Sequence, residues 1–492
     1  VTLVDWPLLE TLVAVPLAAA LWSVVAGRRG ALGLLVAVST TMCATALALW
    51  GAVTTDGPRE VALGGWQAPL GIGLHADGLS AAFVLTCALI MPAVAACAYR
   101  AFAPRIPEQA RRYTFWPLFY AMWTALNAVF LGRDLFSLYV ALELLTIAAV
   151  GMVAYGSARA ALRYLMVALL GSTAYLAGVM LIYATSGALD TGLLYRTLGD
   201  SRAVLLAGAL MTAGLLAKTA LFPLHAWLPP AHAGAPAPGS ALLSALVIKA
   251  SFLILLRIWF DLMPDAGGRG VTPVLGALGA AAIVYGSLLA IVQTRLKRIV
   301  AYSTVAQVGY LFLVFPLAGG AAYEMPWAAG AWTGGVLHAL AHAFAKAAMF
   351  LAAGLVIEAL GHDRLGGMKG LARAMPLTLA AFALAAVSLM GLPPSGGFMA
   401  KYLMLTSALA AGQVGYALVM LAGGLLAALY LFRPLNRALK RHDVVLKSSV
   451  ALWRQAVPFV LAAIAVAMGI AVNAPYALLQ IGRPLAAEEG IE

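Results

Sequence analysis

Charge is what this 492-residue chain has least of: 10% of its residues are Asp, Glu, Lys or Arg, against 63% that are hydrophobic. A soluble domain ordinarily carries about a quarter charged residues. Apolar runs of about twenty residues recur instead from end to end. A water-soluble fold is excluded, and the chain reads as an integral membrane protein. Acids are scarcer than bases, 19 against 31, for a formal charge of +12. No basic cluster interleaved with aromatics stands outside the apolar runs, so no nucleic-acid partner is expected. Cysteine is limited to Cys43, Cys87 and Cys97, in apolar runs without CxxC spacing, which points to packing rather than metal or redox work. No nucleophile triad, nucleotide loop or paired-carboxylate motif is visible, so the chain on its own is not expected to be an enzyme or to hold a cofactor. The first apolar run lacks a small-residue cleavage site and is expected to remain as a span.

Fourteen apolar segments follow one another, near 8–26, 31–53, 78–99, 113–132, 135–156, 161–186, 204–228, 238–260, 271–293, 300–319, 331–357, 376–404, 413–432 and 452–478. An even number puts both termini on one side. Connections after odd-numbered spans hold most of the cations, among them Arg28, Arg29, Arg100, Arg105, Arg111, Arg112, Arg295, Lys297, Arg298, Arg433, Arg437, Lys440 and Arg454. The opposite side holds only Arg59, Arg133, Arg196, Arg202, Arg257, Arg269 and Arg483. The positive-inside bias makes the odd connections cytoplasmic and turns both termini outward, in a bacterial or archaeal cytoplasmic membrane.

The remaining cations are Lys218, Lys249, Lys346 and Lys401, each within a span and each a lysine, although arginine is the commoner base elsewhere in the chain. Arginine stays charged at any reachable pH, whereas a desolvated lysine can take and release protons. One uncompensated lysine at mid-span costs about 2.5–3.5 kcal/mol, and four cost on the order of 10 kcal/mol or more. Snorkelling to the headgroups is the competing reading, and it fits Lys401, near a span end, better than Lys218 or Lys249.

Span five carries a single acid beyond Asp134, Glu143, which is available as a partner for a lysine such as Lys218. Opposite charges within about 4–6 Å favour both charged forms, so opening and closing such a pair would act as a proton switch. His338, His342 and Lys346 recur at i, i+4 and i+8 on one face of span eleven. Two histidines at i, i+4 can ligate zinc, but no acid stands between them as in HExxH and the face continues with a cation. A hydrated relay fits better than a metal. His225 is a further candidate relay, while His232 reads equally well as a loop residue.

Helix breakers mark two spans. Span seven carries Pro223 five residues after Lys218, and span twelve carries Pro393, Pro394, Gly396 and Gly397 before Lys401. Carbonyls freed at membrane depth are tolerated only against protein or water, so both broken helices are expected to line a polar interior. They stand five spans apart, and an odd offset reverses orientation. The expected architecture is all-α, with residues 1–110 as a three-span segment, 111–262 and 263–435 as two inverted five-helix repeats each containing a broken helix, and 436–492 as the last span.

HADGLSAAFVL, AKTALFPLHAWLPPAHAGAPAPGSALLSALVIKA, RLKRIVAYSTVAQVGYLFL, HAFAKAAMFLAAG and GLPPSGGFMAK together resemble the antiporter-like family shared by the membrane arm of respiratory complex I, the Mrp-type cation/proton antiporters and membrane-bound hydrogenases. The resemblance implies that Glu143 pairs with Lys218, that Lys249 bridges to the centre, and that Lys401 is the terminal proton-loading residue. It also implies a hydrated axis with the span-eleven histidines near its middle, and other membrane subunits as partners. Protons would be the transported species, with Na+ exchange possible elsewhere in the complex. GGWQAPLGIGLHADGLS and GRDLFSLYVALELLTIAAVGMVAYGS are most similar to the D-type subunit of Mrp antiporters; proton-pumping complex I or hydrogenase-like subunits come next. A non-transporting scaffold is the reading from another class. Arg295 departs from the family, which commonly has an acid there, and leaves its loop pairing open.

Overall fold

The computed structural model describes residues 7–27, 30–102, 113–199, 201–264, 270–320 and 325–483. Arg28, Arg29, Arg105, Arg111, Arg112 and Arg269, which entered the charge count, lie outside the described residues, as do both termini. Among the described residues twelve helical spans are long and apolar enough to cross a membrane, with two shorter apolar helices beside them. In chain order they begin with α1 (Leu8–Ala26), α2 (Ala31–Asp56), α3 (Gly78–Phe102), α4 (Phe115–Leu131), α5 (Leu135–Ala154) and α6 (Ala158–Ser186). A helix broken into α7 (Arg202–Thr219) and α8 (Leu228–Gly234) follows, then α9 (Ala237–Leu262), α10 (Val271–Val292), α11 (Leu296–Phe312) and α12 (Ala328–Leu360). The interrupted pair α13 (Pro376–Met390) and α14 (Gly396–Ala410) precedes α15 (Val414–Leu439), α16 (Leu452–Ile470) and the short α17 (Asn473–Gln480).

Side-chain caps start several of these helices where the sequence supplies them: Asp134 before α5, Ser157 before α6, Ser201 before α7 and Ser395 before α14 each accept from a first-turn amide. The all-helical expectation misses one element. Between α2 and α3 the chain forms an antiparallel hairpin, β1 (Arg59–Ala62) with β2 (Gly73–Ala76), pairing Glu60 with His75. Outside the apolar spans water satisfies the open edges of so short a ladder, which hydrocarbon would not.

Helices apolar on all sides belong at the centre of a bundle. α9, α11 and α12 are buried along almost their whole length, whereas α1, α2 and α15 keep apolar faces outward, as at Leu21, Leu47 and Leu425. Small residues let neighbours approach backbone to backbone. A Cβ on Gly214 of α7 would lie 2.2 Å from the Gly171 carbonyl of α6, and one on Gly309 of α11 would lie 2.4 Å from the Gly279 carbonyl of α10.

Arg295 has a defined partner after all: its Nε donates to Asp363 Oδ1 at 2.8 Å. The backbone adds Leu296 N–H to Asp363 O at 2.8 Å and Leu365 N–H to Thr294 O at 3.0 Å. The start of α5 is tied in the same pattern, by Leu135 N–H to Leu189 O at 3.0 Å, Thr191 N–H to Arg133 O at 2.9 Å, and Arg133 Nε to Asp190 Oδ1 at 3.2 Å. Three cations assigned to connections are corrected. Lys297 and Arg454 are buried in the first turns of α11 and α16, and Arg257 turns inward near the end of α9. Run boundaries register where apolar residues stop, not which way a terminal side chain points.

A methyl at Gly309 meets a backbone carbonyl that cannot yield, whereas one at Gly415 of α15 meets nothing within 4 Å. Gly309→Ala is therefore expected to destabilise the chain by about 1–3 kcal/mol, and Gly415→Ala to be neutral. Half-aggregation temperatures in detergent, with both variants measured beside the native chain, check this.

Candidate functional site

Glu143 lies midway along α5, one turn before Thr146, so both present to the same side. α7 packs along α6 and ends at Thr219, because Ala220 takes a left-handed conformation, φ 58°, and its N–H closes back on Ala217 O. That leaves Lys218 in the last turn, buried, with Nζ donating to Thr146 Oγ1 at 2.8 Å and to Glu143 Oε1 at 3.3 Å. The Ser172 hydroxyl of α6 donates to the same carboxylate oxygen. The expected pair exists, held by hydroxyls that can take over its hydrogen bonds when it parts.

α9 supplies the centre. Its Leu243–Val247 segment is a π-helical turn, a widened geometry frequent at functional sites. Lys249 follows, fully buried, and its Nζ donates to the Ser244 carbonyl at 2.5 Å and lies 2.5 Å from His342 Nδ1 of α12. Two basic nitrogens this close require a proton between them. His338, one turn back on α12, donates from Nε2 to Gln307 O at 3.3 Å, and its ring centroid is 5.9 Å from that of His342. His338 Nδ1 and His342 Nε2 are buried without a hydrogen-bond partner among the described residues. Lys346 does not join this contact. Its Nζ donates to Val300 O at 3.0 Å and to the Ser303 hydroxyl, both on α11.

Lys401 stands at the second break. α13 ends at Met390, and Lys401 of α14 reaches back so that Nζ donates to Leu389 O at 2.7 Å, 4.2 Å above the centre of the Tyr310 ring. Gln307 Nε2 donates to the same Leu389 carbonyl at 3.1 Å, and Tyr310 neighbours His338 at 5.4 Å between centroids. Lys401 is thus turned inward rather than snorkelling. The breakers divide: Gly396 and Gly397 are buried, whereas Pro223, Pro393 and Pro394 are exposed on the surface of the chain. The helices end at left-handed residues, Ala220 and Gly391, with the prolines following in the exposed connections, and a freed carbonyl, that of Leu389, accepts from Lys401.

His225 is buried against Phe222 and Tyr285 and is not hydrogen-bonded to any of the lysines. His232 is no loop residue: it is fully buried in α8, stacked on Phe350, with both ring nitrogens unpartnered and with Lys249, Lys297 and Lys346 within electrostatic reach. Lys297 donates to Ala235 O at 2.5 Å. Hydrogen bonds among the described residues join Glu143 to Lys218 and Lys249 to His342, but do not join Lys218 to Lys249. Sequence reasoning missed Thr146, Ser172, Lys297 and Gln307. Thr146 sits at i+3 from Glu143, and Ser303, Gln307 and Tyr310 recur at i, i+4 and i+7 in an apolar run, which was the available signal.

Residues 132–429, from the start of α5 through most of α15 and including every lysine of the site, match the family model described as NADH:quinone oxidoreductase/Mrp antiporter, TM. The chain belongs to this family. It is 37% identical over 415 residues to the N-type subunit of the NADH-quinone oxidoreductase of Desulforudis audaxviator, covering 82% of this chain and 80% of that one. It is 31% identical over 381 residues to the D-type subunit of the Na(+)/H(+) antiporter of Alkalihalophilus pseudofirmus, covering 76% and 74%. Its fold is similar to a chain of the Mrp complex from Dietzia sp. DQ12-45-1b, with a TM-score of 0.87 at 26% identity over 96% of this chain and 97% of that one. Both kinds of relative are membrane subunits, which fits an antiporter-like membrane subunit of a complex.

In this family member a second ionic group lies at the hairpin end of α9. Arg257 donates to both Asp77 oxygens at 2.7 Å and to Asp261 Oδ2 at 2.9 Å, and His75 of β2 touches Glu60 at 3.1 Å. Burial pushes the Asp77 carboxyl up, but the Arg257 guanidinium outweighs it and holds the group below its ordinary value. Burial holds His75 below its ordinary value of 6.5, with Asp77 and Glu60 only partly offsetting. A depressed folded value means the contribution is complete above about pH 6.5 and is lost as pH falls through the lower folded value. Hydrogen exchange in β1 and β2, corrected for intrinsic rates, should therefore lose protection between pH 7.5 and 5.5, and His75→Gln should flatten that dependence.

Proposed function

We propose that this chain moves protons across the membrane as an antiporter-like subunit of a multi-subunit complex, along an axis from Glu143–Lys218 through Lys249, His342 and His338 to Lys401. The observation that carries the reading is the buried Lys249–His342 contact, where two bases share a proton at the centre of the bundle. Opening the Glu143–Lys218 pair weakens the hold on the Lys218 proton, and water drawn into the polar interior takes it to Lys249. Rotation of the His342 ring passes it towards His338, and Lys401 releases it. Lys346, His225 and His232 flank this route as side carriers. The matching ties at Arg133–Asp190 and Arg295–Asp363, with one broken helix in each half, support two inverted repeats; with them we read fourteen crossings and, from the charge bias, both termini outward.

Within that function we read the complex first as a Mrp-type Na+/proton antiporter, supported by the fold likeness to the Dietzia Mrp chain and by the D-type antiporter relative. A proton-pumping subunit of an NADH-quinone oxidoreductase is the second reading, favoured by the higher identity to the N-type oxidoreductase relative. Purification in mild detergent separates them: small hydrophobic subunits without redox centres accompany the first, and a peripheral arm with iron–sulfur clusters accompanies the second.

The transport reading is tested in vesicles carrying the whole complex. Glu143→Ala, Lys218→Ala and Lys249→Ala are each expected to assemble and to lower proton movement about tenfold or more. Assembled variants that transport at the native rate would replace this reading with that of a scaffold.

A further inference from the structure

A large cavity lies away from the axis, at one end of the bundle, between the α10–α11 connection, the segment after α12 and the last turns of α15. It measures about 870 Å³, and Arg295, Arg364, Lys369, Arg433, Arg437 and Lys440 all line it. Asp363 neutralises Arg295. The other five have no ion-pair partner among the described residues, and Arg433 Nη1 is buried with no hydrogen-bond partner. Arg364, Arg437 and Lys440 are exposed and Lys369 and Arg433 half-buried, so water solvates them singly, and an anion placed among them gains from several at once.

The approach to the cavity indicates which anion. Leu418, Leu421, Leu425, Leu429 and Phe432 form an exposed apolar stripe along α15. Asn436, which lines the cavity, is eighteen residues beyond Leu418, five turns at 3.6 residues per turn, so the stripe runs directly into it. Leu288 and Val292 continue an exposed apolar edge on α10, which packs beside α15, up to Thr294 at the cavity wall. A soluble phosphate would use the cations and ignore the stripe; a phospholipid uses both. An acidic protein segment would match the charge but not a lipid-facing stripe of this length.

We propose that this cavity is a binding site for the phosphate headgroup of an anionic phospholipid whose acyl chains lie along α15 and α10. The arginines form bidentate hydrogen bonds to phosphate oxygens, Lys369 and Lys440 add charge at the rim, and the site sits at the cation-rich end that the sequence assigns to the cytoplasmic leaflet. The site is independent of the proton axis and stands or falls apart from it.

The test is native mass spectrometry of the intact complex in detergent with added cardiolipin, phosphatidylcholine or inorganic phosphate in separate arms. Retention of cardiolipin over phosphatidylcholine is expected, with no adduct from phosphate alone. The triple variant R433Q/R437Q/K440Q is expected to weaken cardiolipin retention on the order of 100-fold, about fivefold for each cation. Equal retention of the two lipids, which needs no variant, overturns the proposal, as do a phosphate adduct of equal strength and undiminished retention in an assembled triple variant. Cross-linking of Lys369 and Lys440 to an acidic segment of a partner subunit overturns it as well.

Discussion

An ammonium group inside a bilayer must find acceptors, and hydrocarbon offers almost none except backbone carbonyls already used by helices. The architecture follows from where that rule is relaxed. Lys249 takes the Ser244 carbonyl in a π-helical turn, Lys401 takes the Leu389 carbonyl at the broken end of α13, and Lys297 takes the Ala235 carbonyl where α8 passes into α9. Each of these three sits beside an irregular stretch that provides its acceptor, whereas Lys346 takes Val300 O and the Ser303 hydroxyl within the regular helix α11. Among the described lysines of the site, Lys218 is the one in direct ion-pair contact with a carboxylate, Glu143.

The two breaks solve the same problem in different ways. At the first, the indole of Trp227 donates to Ala217 O at 2.9 Å, so the open end of α7 is closed without the lysine, which remains free to face α5. At the second, the lysine comes after the break and itself serves the open carbonyls, sharing one with Gln307. Parting Lys218 from its neighbour separates charges, whereas parting Lys401 from its neighbours exposes dipoles. The electrostatic work of parting therefore differs between the two breaks.

Much of this was legible without coordinates because desolvating a charge is costly enough to leave a mark on composition. Glu143, Lys218, Lys249 and Lys401 stood out as lone titratable residues in apolar runs and His342 as part of a titratable face, and the structure pairs Glu143 with Lys218 and Lys249 with His342. Termini were harder. Lys297, Arg257 and Arg454 looked like surface charges because burial at a helix end depends on which neighbour packs there, a long-range fact. The hairpin was missed for a related reason: its strands are four residues each, too short for a period to register. Pro223, Pro393 and Pro394 correctly marked interruptions, but which face a proline ring presents is set by packing and not by its presence.

The contact between Lys249 and His342 has a numerical consequence. At 2.5 Å, two full positive charges would repel by several kcal/mol even at an effective dielectric constant near 20. The touching pair therefore accommodates one net charge, and a newcomer must wait until the ring turns away or the occupant departs. On the proposed axis the centre of the bundle would act as a turnstile, admitting protons singly because of spacing alone, without any gate that has to close.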